Sequence, residues 1–288
     1  MILDVYHRTR YTYLQPVTFG IHRCFIRPIE GHDLKIKSSR LDISPAYQIR
    51  WVQDVFNNCV ALLTFEKPLD ELVIESEVVV EQFNTNPFNF VLDRHAVNLP
   101  MQYTDEEKLD ISPFLLPFSL TDAADVRAWI SPFLDMNGQA STMNFLTALN
   151  SSVPMYFSYA RRETPGVQSP SETLRIRSGS CRDFALLIME AARTMGLAAR
   201  FVSGYLCGND DVSQQAAAGA THAWAEVYLP GAGWKGFDPT CGRLADDYHI
   251  RVAVSREAYQ TLPVSGSYVG DPGLFSGLEI DVKVQKIS

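Results

Sequence analysis

Three side chains of the kind that transfer acyl groups occur in the second half of the chain: a thiol, an imidazole and a carboxylate. The thiol is Cys181, in "RSGSCRDFALLIMEAARTMG". Ser180 reads as a helix N-cap, so Cys181 is the first helical residue and Asp183 the third, from which a carboxylate reaches back to the cap. Phe184, Ala185, Ile188, Ala191, Ala192 and Met195 recur at helical spacing, and Gly196 ends the helix. Unpaired N–H groups and the positive end of the helix dipole favour a thiolate at that position. Asp183 opposes this unless its charge is turned away.

The imidazole and the carboxylate lie in "THAWAEVYLPGAGWKGFDPT", where "PGAG" marks a turn between two strand-like runs. His222 and Asp238 are equally spaced about Pro230. A hairpin centred there sets them opposite each other, and one centred a residue later makes them diagonal neighbours on the same face. His222, Trp224, Glu226 and Tyr228 share that face, and Ala223, Ala225, Val227 and Leu229 form the other, which reads as core. A carboxylate behind an imidazole fixes the tautomer needed to take and give a proton. A surface polar pair, with Asp238-Pro239-Thr240 as a turn initiator, is the other reading of the same spacing. His7, His22, His32, His95 and His249 have no such arrangement in the sequence and read as satisfied or solvated side chains.

The elements that must position these groups follow from periodicity. From Leu3 to about Phe83 the runs "LDVYHRTRYTYL", "HRCFIRP", "KSSRLDIS", "QIRWVQDVF", "CVALLTF" and "LVIESEVVVEQF" alternate apolar and polar residues, as in an antiparallel sandwich or barrel. Helical patterns follow in "TDAADVRAWISPFL", with Thr121 or Asp122 as cap, and in "STMNFLTALNSS". Strands return after Gly196, and "GLEIDVKVQKI" closes the chain. The expected organisation is α+β: an antiparallel β-sandwich over 1–100, then a core over 101–288 in which the cysteine-bearing helix packs on an antiparallel sheet. The segment 210–220, "DDVSQQAAAGA", reads as a loop at the rim of the site.

Composition bounds the function. The chain has 288 residues, 46% of them hydrophobic, and a net charge of -8, with no basic stripe to hold a phosphate backbone. Nucleic acid is excluded as a partner on that ground, and no apolar run is long enough to span a bilayer. The amino terminus lacks a leader-like pattern, so the expected location is the cytoplasm. Five cysteines, with no CxxC pair and no zinc-ligand spacing, read as free thiols, and no cofactor or metal is expected. A zinc set of Cys181, His222, Asp238 and Cys241 is disfavoured because a hairpin would not aim all four at one point.

"SGSCRDFALLIMEAARTMGLAARFVSGYL", "THAWAEVYLPGAGWKGFDPT" and "HIRVAVSREAYQTLPVSGSY" together resemble the bacterial transglutaminase-like family, a family read as cysteine proteases with a papain-like core. "YHRTRYTYLQPV" and "VQDVFNNCVALLTFEKPLDELVIESEVVVE" resemble the β-sandwich domain that commonly precedes that core. The likeness implies Cys181 as nucleophile, His222 as general base and acid, and Asp238 as orienting carboxylate, acting on a peptide or protein substrate. Arg182 lies within the family pattern and its cation would favour the thiolate. Two departures concern local turns: Asn57-Asn58 stands where Gly-Asn is expected, and Ser255-Arg256-Glu257 where Gly-Arg-Asp is expected.

The chemistry implied is acyl transfer at an amide through a thioester. The backbone N–H of Cys181 is the expected first donor to the oxyanion, and Tyr159 or a neighbouring backbone group in "YFSYARRET" the second unless its aromatics are core; Trp224 reads as a wall of the acyl pocket or as core packing. Water as acceptor makes the protein a protease or amidase, and an amine makes it a transglutaminase. A non-catalytic binding module is the reading from a different class. Oligomeric state is not legible in the sequence.

Overall fold

The computed structural model describes residues 1–162, 164, 166–208 and 220–287; apart from Ala220, the loop read at 210–220 lies outside them. Six strands come first: β1 (Ile2–Phe19), β2 (His22–Cys24), β3 (Leu34–Ser44), β4 (Gln48–Gln53), β5 (Cys59–Thr64) and β6 (Leu69–Gln82). Helices follow as α1 (Asp105–Leu115), α2 (Ala123–Ile130), α3 (Thr142–Tyr156), α4 (Pro170–Ile176) and α5 (Cys181–Thr194). Then come β7 (Ala199–Leu206), β8 (His222–Leu229), β9 (Gly233–Asp238), β10 (His249–Ser255) and β11 (Phe275–Lys286).

Period-two patterning decides the first unit. In β1 the side chains of Leu3, Val5, His7 and Thr9 alternate inward and are buried. Strand β1 pairs antiparallel with β6, and β6 with β3. A second sheet runs β2, β5, β4, and the two sheets close on Tyr13, Phe19, Cys24, Leu63, Leu72 and Ile74. The result is the antiparallel sandwich that the alternation predicts. A single cut at residue 100 does not follow the pairing, however. Val264–Ser265 joins β2, Tyr268–Val269 joins β1, and β11 lies along β1 from Leu3 to Tyr13.

The second unit is an antiparallel sheet in the order β9, β8, β7, β10, with α5 across one face. Ala223, Ala225, Val227 and Leu229 of β8 pack toward that helix, as the alternation predicts. Small residues there let the helix approach closely. The other face meets the sandwich: Tyr205, Ile250 and Val252 pack with Leu3, Val5, Val78 and Val80. The sheet is thus the middle layer of three. At Gly204 an added Cβ would stand 2.2 Å from the Ile250 carbonyl oxygen and 2.8 Å from the Trp224 ring, so only glycine fits between those strands.

Among the polar contacts that tie the units together are those of Asn58 and His7. Asn58 is fully buried; its amide donates to the Val254 carbonyl at 2.7 Å and accepts from the Val254 N–H at 2.8 Å, mimicking a paired strand. Asn57 before it has φ 65, a left-handed conformation that glycine adopts freely and asparagine tolerates, which explains the departure from Gly-Asn. His7 is the second tie: Nδ1 lies 2.8 Å from the Tyr205 hydroxyl and Nε2 3.0 Å from Thr9 Oγ1. Burial pushes its pKa down to about 4, so the ring stays neutral in the fold while the unfolded chain takes up a proton near 6.5. The stability this provides is fully present above pH 6.5 and is lost as pH falls toward 4, by about 3 kcal/mol in total. Urea titrations between pH 7 and pH 4 are expected to show His7→Gln losing less stability than the native chain by about that amount.

Candidate active site

Helix α5 carries the thiol and is buried along nearly its whole length. Its interior charges are paired: Arg193 donates to Glu190 at 2.9 Å and to the carbonyls of Phe114, Ala199 and Arg256. At the other end Ser180 is the cap and Cys181 the first helical residue. Asp183 Oδ2 accepts from the Ser180 N–H and hydroxyl, both at 2.8 Å. Its Oδ1 accepts from Arg162 at 2.6 Å and from the Gln168 N–H at 2.7 Å. The charge that would oppose a thiolate is therefore spent on its own partners. Asp183→Ala leaves the Ser180 and Gln168 N–H groups buried without acceptors and is expected to cost about 2–4 kcal/mol, measured by urea unfolding.

Hairpin register decides how His222 and Asp238 meet. Strands β8 and β9 pair Tyr228 with Trp234 and Ala225 with Phe237, so the turn centres on Gly231 and not on Pro230. Asp238 is then the diagonal neighbour of His222, parity is kept, and Oδ2 lies 2.9 Å from Nε2. Both side chains are fully buried. The remaining ring nitrogen, Nδ1, is buried and makes no conventional hydrogen bond among the described residues. Cys181 is the second side chain that acts on the ring. Burial by itself would lower the His222 pKa, but Asp238, with a smaller contribution from Cys181, outweighs it and raises the imidazole to about 10. The imidazole of β8 and the carboxylate of β9 are thus paired in the interior, with the start of α5 near enough for its thiol to influence the ring.

One member was not anticipated. His249, the first residue of β10, places Nε2 3.0 Å from the same Asp238 Oδ2, and its Nδ1 lies 2.9 Å from Asp246 Oδ1. Asp238 Oδ1 accepts from the Thr240 N–H at 2.9 Å, so both oxygens of this carboxylate are engaged. Burial would raise Asp238, but the two imidazoles outweigh it and hold the carboxyl well below the usual range. No sequence spacing joins His249 to Asp238; β8 and β7 stand between β9 and β10 in the sheet, and the two side chains meet across them. Among the described residues the ligand-type atoms of His222, Asp238 and His249 lie within 4.8 Å of one another. The set is hydrogen-bonded as it stands, and neither Cys181 nor Cys241 belongs to it.

The expected pocket residues are placed unequally. Tyr159 sits on a short strand, Ser158–Tyr159, that pairs in parallel with Ser178–Gly179 just ahead of Cys181. Burial first, then the neighbouring Cys181, keep its hydroxyl protonated and able to donate. Arg182 commits its guanidinium to the carbonyls of Arg162 and Thr164, bracing the segment that follows Tyr159. Trp224 faces the sandwich. It packs with Val202, Val254, Ile29 and Phe56, its ring 6.1 Å from His222 and 5.3 Å from His249. Being on the imidazole face made it a neighbour of His222, but that face is covered by the sandwich, so the indole is a floor beneath the two histidines.

The match to the bacterial transglutaminase-like N-terminal region covers residues 3–81, and that to the transglutaminase-like superfamily covers residues 135–239. An uncharacterized protein of Mycobacterium tuberculosis is 31% identical over 278 residues, spanning 91% of this chain and 86% of the relative. The chain belongs to the bacterial transglutaminase-like family. An uncharacterized protein of Mycobacterium leprae is 24% identical across 99% of both chains. The fold is shared with a solved structure from Cytophaga hutchinsonii described as a "putative cysteine protease", with TM-score 0.72, 18% identity, and 100% of this chain and 92% of that one covered. The superfamily match contains Cys181, His222 and Asp238 and ends before His249. Among the described residues no helix is long and apolar enough to cross a membrane.

Proposed function

We propose that this protein is a cysteine-dependent acyl-transfer enzyme that hydrolyses peptide or other amide bonds, with Cys181 as nucleophile, His222 as general base and acid, and Asp238 as the orienting carboxylate. The observation that carries this reading is the buried His222–Asp238 pair at 2.9 Å, whose ring is also acted on by the thiol at the start of α5. With Nε2 held by Asp238, Nδ1 is the nitrogen that takes the thiol proton. The thiolate sulfur then attacks the carbonyl carbon, and the electron pair of the C=O bond moves to oxygen. The Cys181 N–H, which lacks a partner within the helix because it belongs to the first turn, donates to that oxyanion, and the Tyr159 hydroxyl is the second donor. His222 passes its proton to the departing amine as the C–N bond breaks, leaving a thioester. Water, deprotonated by His222, resolves it to the acid and the free thiol.

The cysteine-protease description of the structure with the same fold favours water over an amine as acceptor. Five thiols, none in a disulfide, fit a reducing, cytoplasmic setting. The test is a peptide-library digest read by mass spectrometry, with and without an added primary amine, on the native chain and on Cys181→Ala. Hydrolysis products that vanish with Cys181→Ala are expected. Amine adducts in their place would make the protein a transglutaminase, and no Cys181-dependent product of either kind would make it a binding module.

A further inference from the structure

We infer that His249 is a positioning residue for the proposed chemistry: wedged between Asp238 and Asp246, it acts as a fixed cation that holds the triad carboxylate in place and shares its charge with His222. The inference rests on the reading of Cys181, His222 and Asp238 given above, and it concerns a residue outside that triad.

Donor and acceptor accounting leads to it. Asp238 is an ionised carboxylate and can only accept, so both Nε2 atoms against Oδ2, from His222 at 2.9 Å and from His249 at 3.0 Å, carry protons. The second nitrogen of His249 faces another carboxylate, Asp246 Oδ1, at 2.9 Å. The Asp246 N–H also points at Nδ1 as a donor, at 3.2 Å, the contact a neutral ring would accept; the carboxylate oxygen is nearer, and a protonated Nδ1 donates to it. An imidazole with a carboxylate on each nitrogen is favoured as the doubly protonated cation. The tendencies of the groups agree: burial would lower His249, yet its two carboxylates raise it, while Asp246 is lowered. Asp246 is itself fixed, its Oδ1 accepting from the Tyr248 N–H at 3.0 Å and its Oδ2 lying 4.0 Å from Arg243 Nε.

The surroundings of His249 leave it no other charged partner at hydrogen-bond distance among the described contacts. Trp224 stands edge-on at 5.3 Å and the His222 ring at 6.3 Å. Behind it a cavity of about 350 Å³ is shared with His32, Asp33, Glu226, Lys235 and Arg251. Glu226 there is held by Arg200 and Arg251, and Asp33 lies 3.9 Å from Arg251. From the sandwich, Gln82 donates to the His249 carbonyl at 2.8 Å, fixing the backbone.

Two consequences follow for His222. Asp238 is clamped by three donors, so its oxygen cannot swing away from Nε2 when the thiol reacts. The cation also offsets part of the Asp238 charge, so His222 binds its proton less tightly than beside a lone carboxylate and gives it up more readily to a departing amine. Removing the positive charge should therefore raise the proton affinity of His222.

The experiment is the pH profile of Cys181 alkylation by iodoacetamide on the full chain, followed by mass spectrometry. The step that marks deprotonation of His222 is first located in the native chain by its loss in His222→Ala. His249→Gln keeps a donor toward Asp238 but removes the charge, and is expected to move that step to higher pH by about one unit. Asp246→Asn, which takes away the carboxylate holding the second proton while leaving His249 in place, is expected to move it in the same direction. Steps that stay at the native pH in both variants, with native melting curves, would overturn the inference and leave the triad reading standing. A shift in His249→Gln alone would mark a packing effect and would likewise overturn the charge assignment. A native chain with no His222-dependent step would remove the triad reading first, and this inference with it.

Discussion

Replacing Asp238 by asparagine is expected to lower acyl transfer by about 10³–10⁴-fold while leaving the thiol in place. The size of the effect follows from the donors around this carboxylate. Thr240 N–H points at Oδ1, and two imidazole N–H groups point at Oδ2. An asparagine amide has one acceptor oxygen, so its NH₂ must face a donor on one side or the other. If the oxygen stays with Thr240, His222 is driven to the tautomer that protonates Nδ1, the nitrogen needed as base for Cys181. If the amide flips, the Thr240 N–H is left buried and unpaired, which costs about 1–3 kcal/mol. Steady-state rates on a peptide found in the library digest measure the first outcome, and urea unfolding measures the second. A loss below tenfold would mean that Asp238 does not orient the base.

Cys181→Ala is expected to abolish turnover, by about 10⁴-fold or more, because the substitution removes the sulfur that forms the thioester. Stability should hardly change, since the substitution removes one sulfur from the end of a well-packed helix. Substrate binding should persist, because the residues around the thiol are untouched. That pairing of lost turnover with retained binding, read by mass spectrometry and by calorimetry with the same peptide, separates an enzyme from a binding module. A binding module would show both properties unchanged.

Local signals in the sequence accounted for the parts of the site built from local geometry. The Ser180 cap and the Asp183 carboxylate were legible because capping chemistry acts over three residues. His222 and Asp238 were legible because strand parity survives a shift of one residue in the turn; the register is the diagonal one, and the pair still meets. The six strands of the sandwich followed from alternation, and Gly196, at φ 75, ends α5 as expected. Helix α1 escaped because Pro113 interrupts its pattern, although Thr104 and Glu107 form a capping box at its start. The return of β11 to β1 escaped because its alternation announces a strand but not a partner. His249 was missed for the same reason. Its neighbour Asp238 lies on a strand separated from its own by two others in the sheet, and their contact is made by side chains that no spacing along the chain announces. Trp224 reads as a pocket wall or as core packing because alternation does not say what covers the His222 face of β8; the sandwich does, and Trp224 and Glu226 are buried.

The most direct test of the central claim is competitive alkylation of the five thiols at neutral pH. Exposure alone ranks Cys59, which is half-buried, ahead of Cys181, which is only 7% exposed. Burial pushes the Cys24 thiol up to about 12 and raises Cys59 and Cys207 as well. If the thiol at the start of α5 hands its proton to His222, Cys181 reacts first despite its burial, and His222→Ala slows it by about tenfold or more. Labelling that follows exposure, with Cys181 no faster than Cys59 and indifferent to His222, would contradict the account.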